Sequence, residues 1–154
     1  MIAIEIPGRD NLRLEHAVFD VNGTLALDGR LLPGVAERLA ALRARLTLHM
    51  LTADTHGRQT TIDALVGFRA TIITGGAAEK AQYVRELGAG SVVAVGNGAN
   101  DAAMLQAAAL GIAVLGAEGL AVPALTAADL MVPSMTDALD LLLNPRRLVA
   151  TLRR

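Results

Sequence analysis

Apolar runs alternate with amphipathic segments along most of the chain. The runs at residues 16–20, 46–51 and 91–95 are dominated by apolar residues, which is typical of strands buried on both faces of a parallel sheet. The segments between them, such as residues 33–45 and 77–87, mix apolar and polar residues as surface helices do. This alternation predicts an α/β fold whose doubly wound parallel sheet is covered by helices on both faces.

The first residues of the chain follow a different pattern. Residues 2–6 and about 11–14 alternate in strand fashion on either side of Pro7-Gly8-Arg9-Asp10, which predicts an N-terminal β-hairpin. The other predicted elements, in chain order, are a strand at 16–20, a helix at 33–45, a strand at 46–51, a helix at about 55–66, a strand at 69–73, a helix at 77–87 closed by Gly88, a strand at 91–95, a helix at about 100–108, and strands near 112–115 and 130–132. Short helices are expected between and after the last two strands.

No linker, repeat or low-complexity stretch divides the chain. We therefore expect one domain over residues 1–154. It consists of the hairpin at about 1–15, the core at about 16–143 and a basic C-terminal helix at about 144–154. The arginines of that helix are interpreted as a solvated helix face.

Composition excludes several classes of protein. The chain is 53% hydrophobic, yet no uninterrupted apolar stretch reaches the roughly 18–20 residues of a membrane span. Met1 to Pro7 lacks the basic start of a signal peptide, and the absence of cysteine excludes disulfides and thiolate chemistry. A net charge of −1 gives no general attraction to nucleic acid, and the chain has too few aromatic residues for a base-stacking surface. We expect a cytoplasmic protein that is not a membrane protein and does not bind nucleic acid.

Polar residues follow several of the predicted strands at their carboxyl ends, where doubly wound sheets bind ligands. They are Asp20, Thr52 and Asp54, the Thr74-Gly75-Gly76 segment before Lys80, and the Gly96-Asn97-Gly98 loop before Asp101. Lys80 is also the only lysine in a chain that otherwise uses arginine for its positive charges. A lysine is a compact point charge, whereas an arginine is a planar fork.

These residue types suit the transfer of a phosphoryl group. Asp20 offers a carboxylate, and the Gly23-Thr24 turn after it offers backbone N–H groups for an anion. Thr52 can donate its hydroxyl to a phosphoryl oxygen, and Lys80 can neutralise the negative charge. Asp101 can join Asp20 in holding a hard cation such as Mg²⁺. Together they suit attack by a carboxylate on a phosphoryl group.

The order of these motifs resembles the haloacid dehalogenase superfamily of phosphohydrolases. D-x-x-G-T, then T, then K, then G-x-G-x-N-D appear between residues 16 and 132, and four ordered motifs are far more specific than one. The segments 51–54 and 96–101 are particularly similar to the phosphorylation domain of P-type ATPases. The resemblance implies a Rossmann-like core and a nucleophile at Asp20. It also implies phosphate ligands at Thr52, Ala53, Lys80 and Gly23, and Mg²⁺ ligands at Asp20, Asn22 (through its carbonyl), Asn97 and Asp101.

The spacing leaves no room for a cap domain. The interval between Asp20 and Thr52 holds a flap (Leu25 to Leu32) and a helix, and the interval between Thr52 and Lys80 holds a helix and a strand. The chain therefore resembles a capless member of the superfamily, neither an ion pump nor a self-sufficient ATPase. Such proteins leave the site open to large substrates or cover it with a neighbouring subunit. The expected partner is a small phosphorylated substrate or a phosphoprotein, and the hairpin and flap are candidate contacts for a homo-oligomer.

Two asparagines depart from the pattern. Asn22 stands where phosphatases of the superfamily usually have an aspartate that acts as general acid and base, and an amide cannot exchange that proton. Asn97 stands where a second acidic metal ligand is common, so we expect weaker Mg²⁺ binding. One hypothesis is a slow Mg²⁺-dependent phosphohydrolase or phosphotransferase that works through an aspartyl-phosphate on Asp20. The alternative is a catalytically weak phosphate-binding or regulatory domain that acts through a protein partner.

Of four further residues near the predicted strands, two, Asp54 and His56, have two interpretations. Asp54 either belongs to the site or only caps the following helix. His16, His49 and His56 are interpreted as structural, with His56 also weighed as a proton shuttle because it follows Thr52 closely.

Overall fold

The computed structural model describes all residues from 1 to 154. Its strands, in chain order, are β1 (Ile2–Ile4), β2 (Leu12–Leu14), β3 (His16–Asp20), β4 (Ala26–Leu27), β5 (Arg30–Leu31), β6 (Thr47–Thr52), β7 (Thr71–Ile72), β8 (Val92–Gly96), β9 (Leu110–Val114) and β10 (Leu130–Val132). Its helices are α1 (Val35–Leu42), α2 (Gln59–Val66), α3 (Gly76–Glu86), α4 (Ala102–Ala107), α5 (Val122–Ala127), α6 (Met135–Leu143) and α7 (Arg146–Leu152). Short 3₁₀ turns occupy Ala89–Ser91 and Ala99–Asp101.

Six strands form the central sheet in the order β10-β9-β8-β3-β6-β7. All neighbouring pairs in this sheet are parallel. Strand β3 lies in the middle, with Phe19 opposite Met50 of β6 and opposite Val95 of β8. The predicted α/β fold with a doubly wound parallel sheet is confirmed, and the last residue of its central strand is Asp20.

Alternate residues of each strand point to opposite faces of the sheet, so β3 contributes to two separate cores. Phe19 belongs to a large apolar cluster that α1, α2, α6 and α7 complete. Val18 belongs to a smaller cluster on the other face, where α3, α4 and α5 pack. Both residues are fully buried. The strand that carries Asp20 is therefore fixed from both sides.

The two ends of the chain pack onto the larger cluster. Strands β1 and β2 pair antiparallel as the predicted hairpin, and they bury Ile2, Ile4, Leu12 and Leu14. Helix α7 buries Leu148 and Leu152 against the same cluster. The arginines of the tail stay exposed, as the solvated-face interpretation requires: Arg146, Arg147, Arg153 and Arg154. The backbone N–H of Arg154 donates to the carbonyl of Pro7 at 3.0 Å, which joins the tail to the hairpin turn.

Only two short insertions flank the site. The interval after Asp20 holds the β4–β5 flap and α1, and the interval after Thr52 holds α2 and β7. The flap turns at Asp28-Gly29, where both residues have positive φ (52° and 76°). Asp-Gly favours this two-residue hairpin turn. The expectation that the chain lacks a cap domain is confirmed. No helix has the length and apolar character to cross a membrane.

Several predicted boundaries were wrong, two of them at loops whose backbone is left-handed. Helix α2 begins at Gln59 and not near residue 55, because Asp54 (φ 51°) and Gly57 (φ 64°) interrupt the helical path. Helix α1 begins at Val35, after the left-handed Gly34, and not at Pro33. The helix predicted at 100–108 starts as a 3₁₀ turn and becomes α-helical at residue 102. Strand β7 is two residues long, shorter than the predicted 69–73.

Candidate active site

The carboxyl ends of β3, β6 and β8 meet at one edge of the sheet, as parallel strands require. Asp20 ends β3, Thr52 ends β6, and Asn97 directly follows β8. Helix α3 brings Lys80 to the same edge. A cavity of about 320 Å³ lies there. It is lined by Asp20, Asn22, Ala53, Thr55, Ile73, Thr74, Gly76, Lys80, Asn97, Gly98, Asn100 and Glu118.

Lys80 bridges two carboxylates. Its Nζ lies 2.7 Å from Oδ1 of Asp20 and 2.7 Å from Oδ1 of Asp101. All three residues are buried, with Lys80 only 3% exposed. A solvated helix charge is therefore ruled out for Lys80. One compact ammonium with three donors serves both acids, and this geometry suits lysine better than arginine.

One ammonium does not fully offset two carboxylates in this buried position. Burial, followed by repulsion from Asp101, raises the pKa of Asp20 to about 7, against the attraction of Lys80. Burial opposes the charge on Lys80 as well, but attraction to Asp20 and Asp101 raises the pKa of Lys80 above its usual value. The cluster thus has an excess of negative charge that a further cation would offset.

Asp101 also shapes the loop after β8. Its Oδ2 accepts hydrogen bonds from the backbone N–H groups of Asn97 (3.0 Å) and Gly98 (2.9 Å). The Asp101 side chain lies so close to Gly96 that a Cβ on Gly96 would stand 2.6–2.8 Å from its atoms. The first glycine of the G-x-G motif is therefore required by close approach. Asp101 holds both the loop and Lys80.

Asn97 is engaged at both ends of its amide. Its Oδ1 accepts a hydrogen bond from the hydroxyl of Thr24 at 3.1 Å, and its Nδ2 donates to the carbonyl of Gly119 at 3.2 Å. The same Thr24 hydroxyl lies 3.2 Å from Oδ2 of Asp20. Because an aspartate has no N–H to donate, the link to Gly119 depends on asparagine at this position.

The turn after Asp20 does not present the amides that the sequence suggested. The N–H of Gly23 donates to the carbonyl of Ala26 at 2.7 Å, and that of Thr24 donates to the carbonyl of Val21 at 3.2 Å. Both groups that we expected to hold an anion are thus used within the turn. Gly23 instead has a left-handed backbone (φ 81°) and a bare Cα that leaves room for neighbouring side chains.

Thr52 is buried at the end of β6. Its Oγ1 accepts hydrogen bonds from the backbone N–H of Asp54 at 2.9 Å and from Nδ2 of Asn22 at 3.4 Å. Asp54 itself does not line the cavity, and its Oδ1 accepts a hydrogen bond from the N–H of Gln59 at 3.1 Å. Of its two interpretations, the structure therefore supports the cap at the start of α2.

The three histidines lie away from the cavity. His16 Nδ1 and His49 Nε2 are 3.2 Å apart, and His49 Nδ1 lies 3.0 Å from the hydroxyl of Tyr83. Burial, followed by repulsion from His16, lowers the pKa of His49. His56 is exposed and lies beside Gly29 of the flap. All three fit the structural interpretation, and His56 is not brought to the site.

Sequence reasoning missed Glu118. This residue lies in the loop between β9 and α5 and lines the same cavity as Asp20 and Asn22. A methyl group on Gly23 would collide with Oε2 of Glu118, so the carboxylate lies directly against the Gly23 backbone. The rule that ligands bind beyond strand ends could have found it, because Glu118 follows β9. Glu118 lies four residues after the end of β9, however, and belongs to none of the sequence motifs, so the sequence alone did not single it out.

The donors at this edge fit a hard divalent cation in their chemistry. Asp20 and Asp101 supply carboxylates, and Asn22 and Asn97 supply neutral oxygens, the ligand type that Mg²⁺ takes. Burial, and after it the charge of Asp101, raises the pKa of Asp20, and such a cation would compensate that charge. These four residues include only two acids. No group of three or more His, Cys, Asp or Glu side chains is placed to hold a metal.

Comparison with known proteins starts from sequence. No protein-family model matches the chain. An uncharacterized protein of Methanocaldococcus jannaschii is 47% identical over 38 residues, which are 25% of this chain and 86% of that protein. At this identity and coverage, the two proteins belong to one family, and the name of the relative states no activity.

Solved structures show the fold. The deoxy-D-mannose-octulosonate 8-phosphate phosphatase of Haemophilus influenzae, in a cobalt-bound form, matches with a TM-score of 0.69 at 15% identity, over 86% of this chain and 88% of that one. The 3-deoxy-D-manno-octulosonate 8-phosphate phosphatase of Moraxella catarrhalis, in complex with magnesium, phosphate and KDO, matches with a TM-score of 0.65 at 18% identity, over 91% and 94%.

A zinc-transporting PIB-type ATPase in its E2.Pi state also matches, with a TM-score of 0.62 at 26% identity, over 79% of this chain. This chain spans only 20% of the ATPase chain. The fold of this chain is thus shared by phosphatases and by one segment of a zinc-transporting ATPase. The motifs of the sequence resembled the same two kinds of protein. The chain has the fold of the haloacid dehalogenase superfamily, without a cap domain.

Proposed function

We propose that this chain, a capless protein of the haloacid dehalogenase fold, is a Mg²⁺-dependent phosphohydrolase or phosphotransferase that works slowly through an aspartyl-phosphate on Asp20. The observation that carries the proposal is the buried bridge of Lys80 between Asp20 and Asp101, with both N–O distances at 2.7 Å. Burying the triad of Asp20, Lys80 and Asp101 costs free energy of folding, because three charged groups lose their hydration. Its position at the carboxyl ends of the strands favours a catalytic role over a structural one.

The residues of the triad and their neighbours divide the chemistry among them. Oδ of Asp20 forms a bond to phosphorus while the bond between phosphorus and the leaving oxygen breaks. Lys80 offsets the negative charge that this attack brings together. Thr52, whose Oγ1 lies 3.4 Å from Nδ2 of Asn22, would donate its hydroxyl to a phosphoryl oxygen. Asp20, Asp101 and the oxygens of Asn22 and Asn97 would hold Mg²⁺, which would supply further positive charge to the phosphoryl group.

The second half-reaction returns Asp20 to its starting form. Water attacks the phosphorus, the bond from phosphorus to Asp20 breaks, and inorganic phosphate leaves. Both half-reactions need a proton carrier, for the leaving oxygen first and for the water second. Asn22 cannot serve, so we expect both steps to be slow by about 10²–10⁴ relative to an enzyme with a carboxylate there. The phosphoenzyme should therefore be long-lived.

The open site sets only the size of substrate that can reach Asp20. No cap covers the cavity, so either a small phosphorylated molecule or a phosphorylated side chain of a protein can reach it. Magnesium as the natural metal, a cytoplasmic location and assembly into a homo-oligomer all stay predictions.

A second candidate function is a regulatory phosphate-binding domain that acts through a protein partner. The two amide positions favour it, because Asn97 uses its side chain to join loops through Thr24 and Gly119. A residue committed in this way suits a structural role better than metal binding. In this case the site would bind phosphate and not turn it over.

The two candidates differ in covalent chemistry. Fresh protein is incubated with Mg²⁺ and either acetyl phosphate or para-nitrophenyl phosphate, alongside Asp20→Asn. We expect phosphate release and an acid-stable phosphoryl adduct, found by intact mass, in the parent protein and neither in the variant. Absence of both from the parent protein would leave only the binding domain.

A further inference from the structure

We propose that Glu118 is the proton carrier that position 22 lacks. This inference rests on the function proposed above and names a further catalytic residue for it. Asn22 and Glu118 line the same cavity from different loops, one following β3 and the other following β9. A carboxylate exchanges protons where an amide does not.

The carboxylate of Glu118 lies in contact with the segment that carries the nucleophile. Its Cδ would stand 3.0 Å from a Cβ built on Gly23, and its Oε2 would collide with that atom. Gly23 is three residues beyond Asp20 and directly follows Asn22. Because Gly23 has no side chain, its backbone leaves room for the Glu118 carboxylate in this position.

Glu118 is also the available carboxylate of the cavity. The lining includes two acidic residues, Asp20 and Glu118. Asp20 accepts hydrogen bonds from Lys80 and Thr24, whereas no hydrogen bond or salt bridge in the structure engages the Glu118 carboxylate. Glu118 is exposed to solvent.

The loop that carries Glu118 is held in place by the second unusual asparagine. Residues 116–119 form a turn in which the N–H of Gly119 donates to the carbonyl of Gly116 at 2.9 Å. Nδ2 of Asn97 donates to the carbonyl of Gly119 at 3.2 Å, and the N–H of Ala121 donates to the carbonyl of Asn97 at 2.9 Å. Asn97 thus fixes the turn from its far side. The two departures from the family pattern are then connected: Asn97 positions Glu118, and Glu118 compensates in part for Asn22, so turnover stays slower than with a carboxylate at position 22.

The proton balance of the two half-reactions follows. Protonated Glu118 gives its proton to the leaving oxygen as the bond from that oxygen to phosphorus breaks. The resulting carboxylate then takes a proton from water as the oxygen of that water bonds to phosphorus and the bond to Asp20 breaks. Glu118 ends protonated, as it began, and no other reactant is needed.

The test compares four variants with the parent protein: Glu118→Gln, Asn22→Asp, the double variant, and Glu5→Gln as matched control. Glu5 is an exposed glutamate of the hairpin and does not line the cavity. Each protein receives Mg²⁺ with para-nitrophenyl phosphate, whose leaving group needs little protonation, and with a simple alkyl phosphate, whose leaving group needs it fully. The decay of the acid-trapped phosphoenzyme is followed separately.

We expect Glu118→Gln to slow phosphoenzyme decay and alkyl phosphate hydrolysis by about 10²-fold or more, the lower end for general acid–base catalysis. Labelling from para-nitrophenyl phosphate should change much less, and Glu5→Gln should match the parent. Asn22→Asp should accelerate Glu118→Gln by a larger factor than it accelerates the parent, because it restores a carboxylate only where one is missing.

The failures are distinguishable. If the parent protein neither forms a phosphoenzyme nor releases phosphate, the proposed function fails and this inference fails with it. If the parent turns over and Glu118→Gln decays at the parent rate, the inference alone is overturned. A uniform loss with both substrates, without rescue by Asn22→Asp, would make Glu118 structural and would also overturn it.

Discussion

The ammonium of Lys80 lies 2.7 Å from Oδ1 of Asp101, and both side chains are almost completely buried, at 4% and 0% exposed. The pair also fixes the loop after β8, because the other oxygen of Asp101 accepts two backbone N–H groups of that loop. One contact therefore joins α3 to the loop that carries Asn97. Removing either partner would leave a buried charge without compensation.

We expect Lys80→Met to lower the free energy of unfolding by about 3–5 kcal/mol in metal-free buffer, the typical cost of breaking a buried ion pair from one side. Methionine keeps the volume of the stem, so the loss reports charge and not packing. Chemical denaturation monitored by circular dichroism measures it. Arg85→Met, on an exposed face of the same helix, is the control and should change stability by less than about 0.5 kcal/mol. Equal losses in the two variants would contradict the structural role of the bridge.

Asp20→Asn should stabilise the metal-free protein above neutral pH. Burial and the charge of Asp101 raise the pKa of Asp20 from 3.8 to about 7 in the folded state. The stabilising contribution of this group is thus complete below pH 3.8 and is lost as the pH rises through about 7. At about pH 8 the asparagine avoids the cost of a buried charge, and each pKa unit corresponds to about 1.4 kcal/mol.

The measurement is the melting temperature in EDTA at about pH 5 and about pH 8. The advantage of Asp20→Asn over the parent should be larger at the higher pH. Asp10→Asn, an exposed carboxylate of the hairpin turn, should show no such dependence. An advantage that is equal at both pH values would mean that the charge of Asp20 is already compensated.

The sequence was informative where chemistry and local pattern agree. Strand β3 was predicted with its observed bounds, His16–Asp20, because its apolar run stops at a carboxylate that cannot enter the core. Lys80 was singled out by its uniqueness, and the structure buries it between two acids. Parallel topology then requires the strand ends to meet, so the sequence was sufficient to expect Asp20, Thr52 and Asn97 close together.

The features that the sequence did not reveal depend on contacts between distant segments. Glu118 lies in a turn whose Gly119 carbonyl accepts a hydrogen bond from Asn97, 21 residues before Glu118, and no local pattern encodes that hydrogen bond. The path of residues 53–58 was missed because Asp54 adopts a left-handed backbone (φ 51°), which is uncommon outside glycine. The amides of Gly23 and Thr24 look available in sequence, but the fold of the turn uses both.

Divalent metal should stabilise the protein through the acids of the site. Because a ligand that binds only the folded state raises its stability, we expect Mg²⁺ at millimolar concentration to raise the melting temperature of the parent at about pH 8. The rise should shrink strongly in Asp101→Asn and in Asp20→Asn, which each remove one negative ligand. Thermal denaturation with a Mg²⁺ titration measures it, and Ca²⁺ and Co²⁺ serve as comparisons. The same rise in both variants would mean that Mg²⁺ binds elsewhere.

Asn97→Asp should separate metal binding from stability. The added carboxylate should tighten Mg²⁺ binding in a calorimetric titration, because it adds a charged oxygen ligand. The same change removes the donor to the carbonyl of Gly119, so metal-free stability should fall by about 1–3 kcal/mol, as for a buried group left without its partner. If Asn97→Asp binds Mg²⁺ no better than the parent, residue 97 is not a metal ligand. If its stability is unchanged, the link to Gly119 contributes little.

Gly96→Ala tests the packing that aligns the triad. A Cβ at this position would stand 2.6–2.8 Å from side-chain atoms of Asp101, far inside normal contact. Asp101 would have to leave Lys80 or release the loop after β8. We expect a loss of about 1–3 kcal/mol in stability, typical of overpacking, together with a loss of metal-dependent stabilisation. Gly90→Ala is the matched control, because a Cβ there meets nothing within 4 Å and its backbone is not left-handed. If Mg²⁺ still stabilises Gly96→Ala as it does the parent, metal binding tolerates a displaced Asp101. The close approach that Gly96 allows would then not be needed to align Asp20, Lys80 and Asp101.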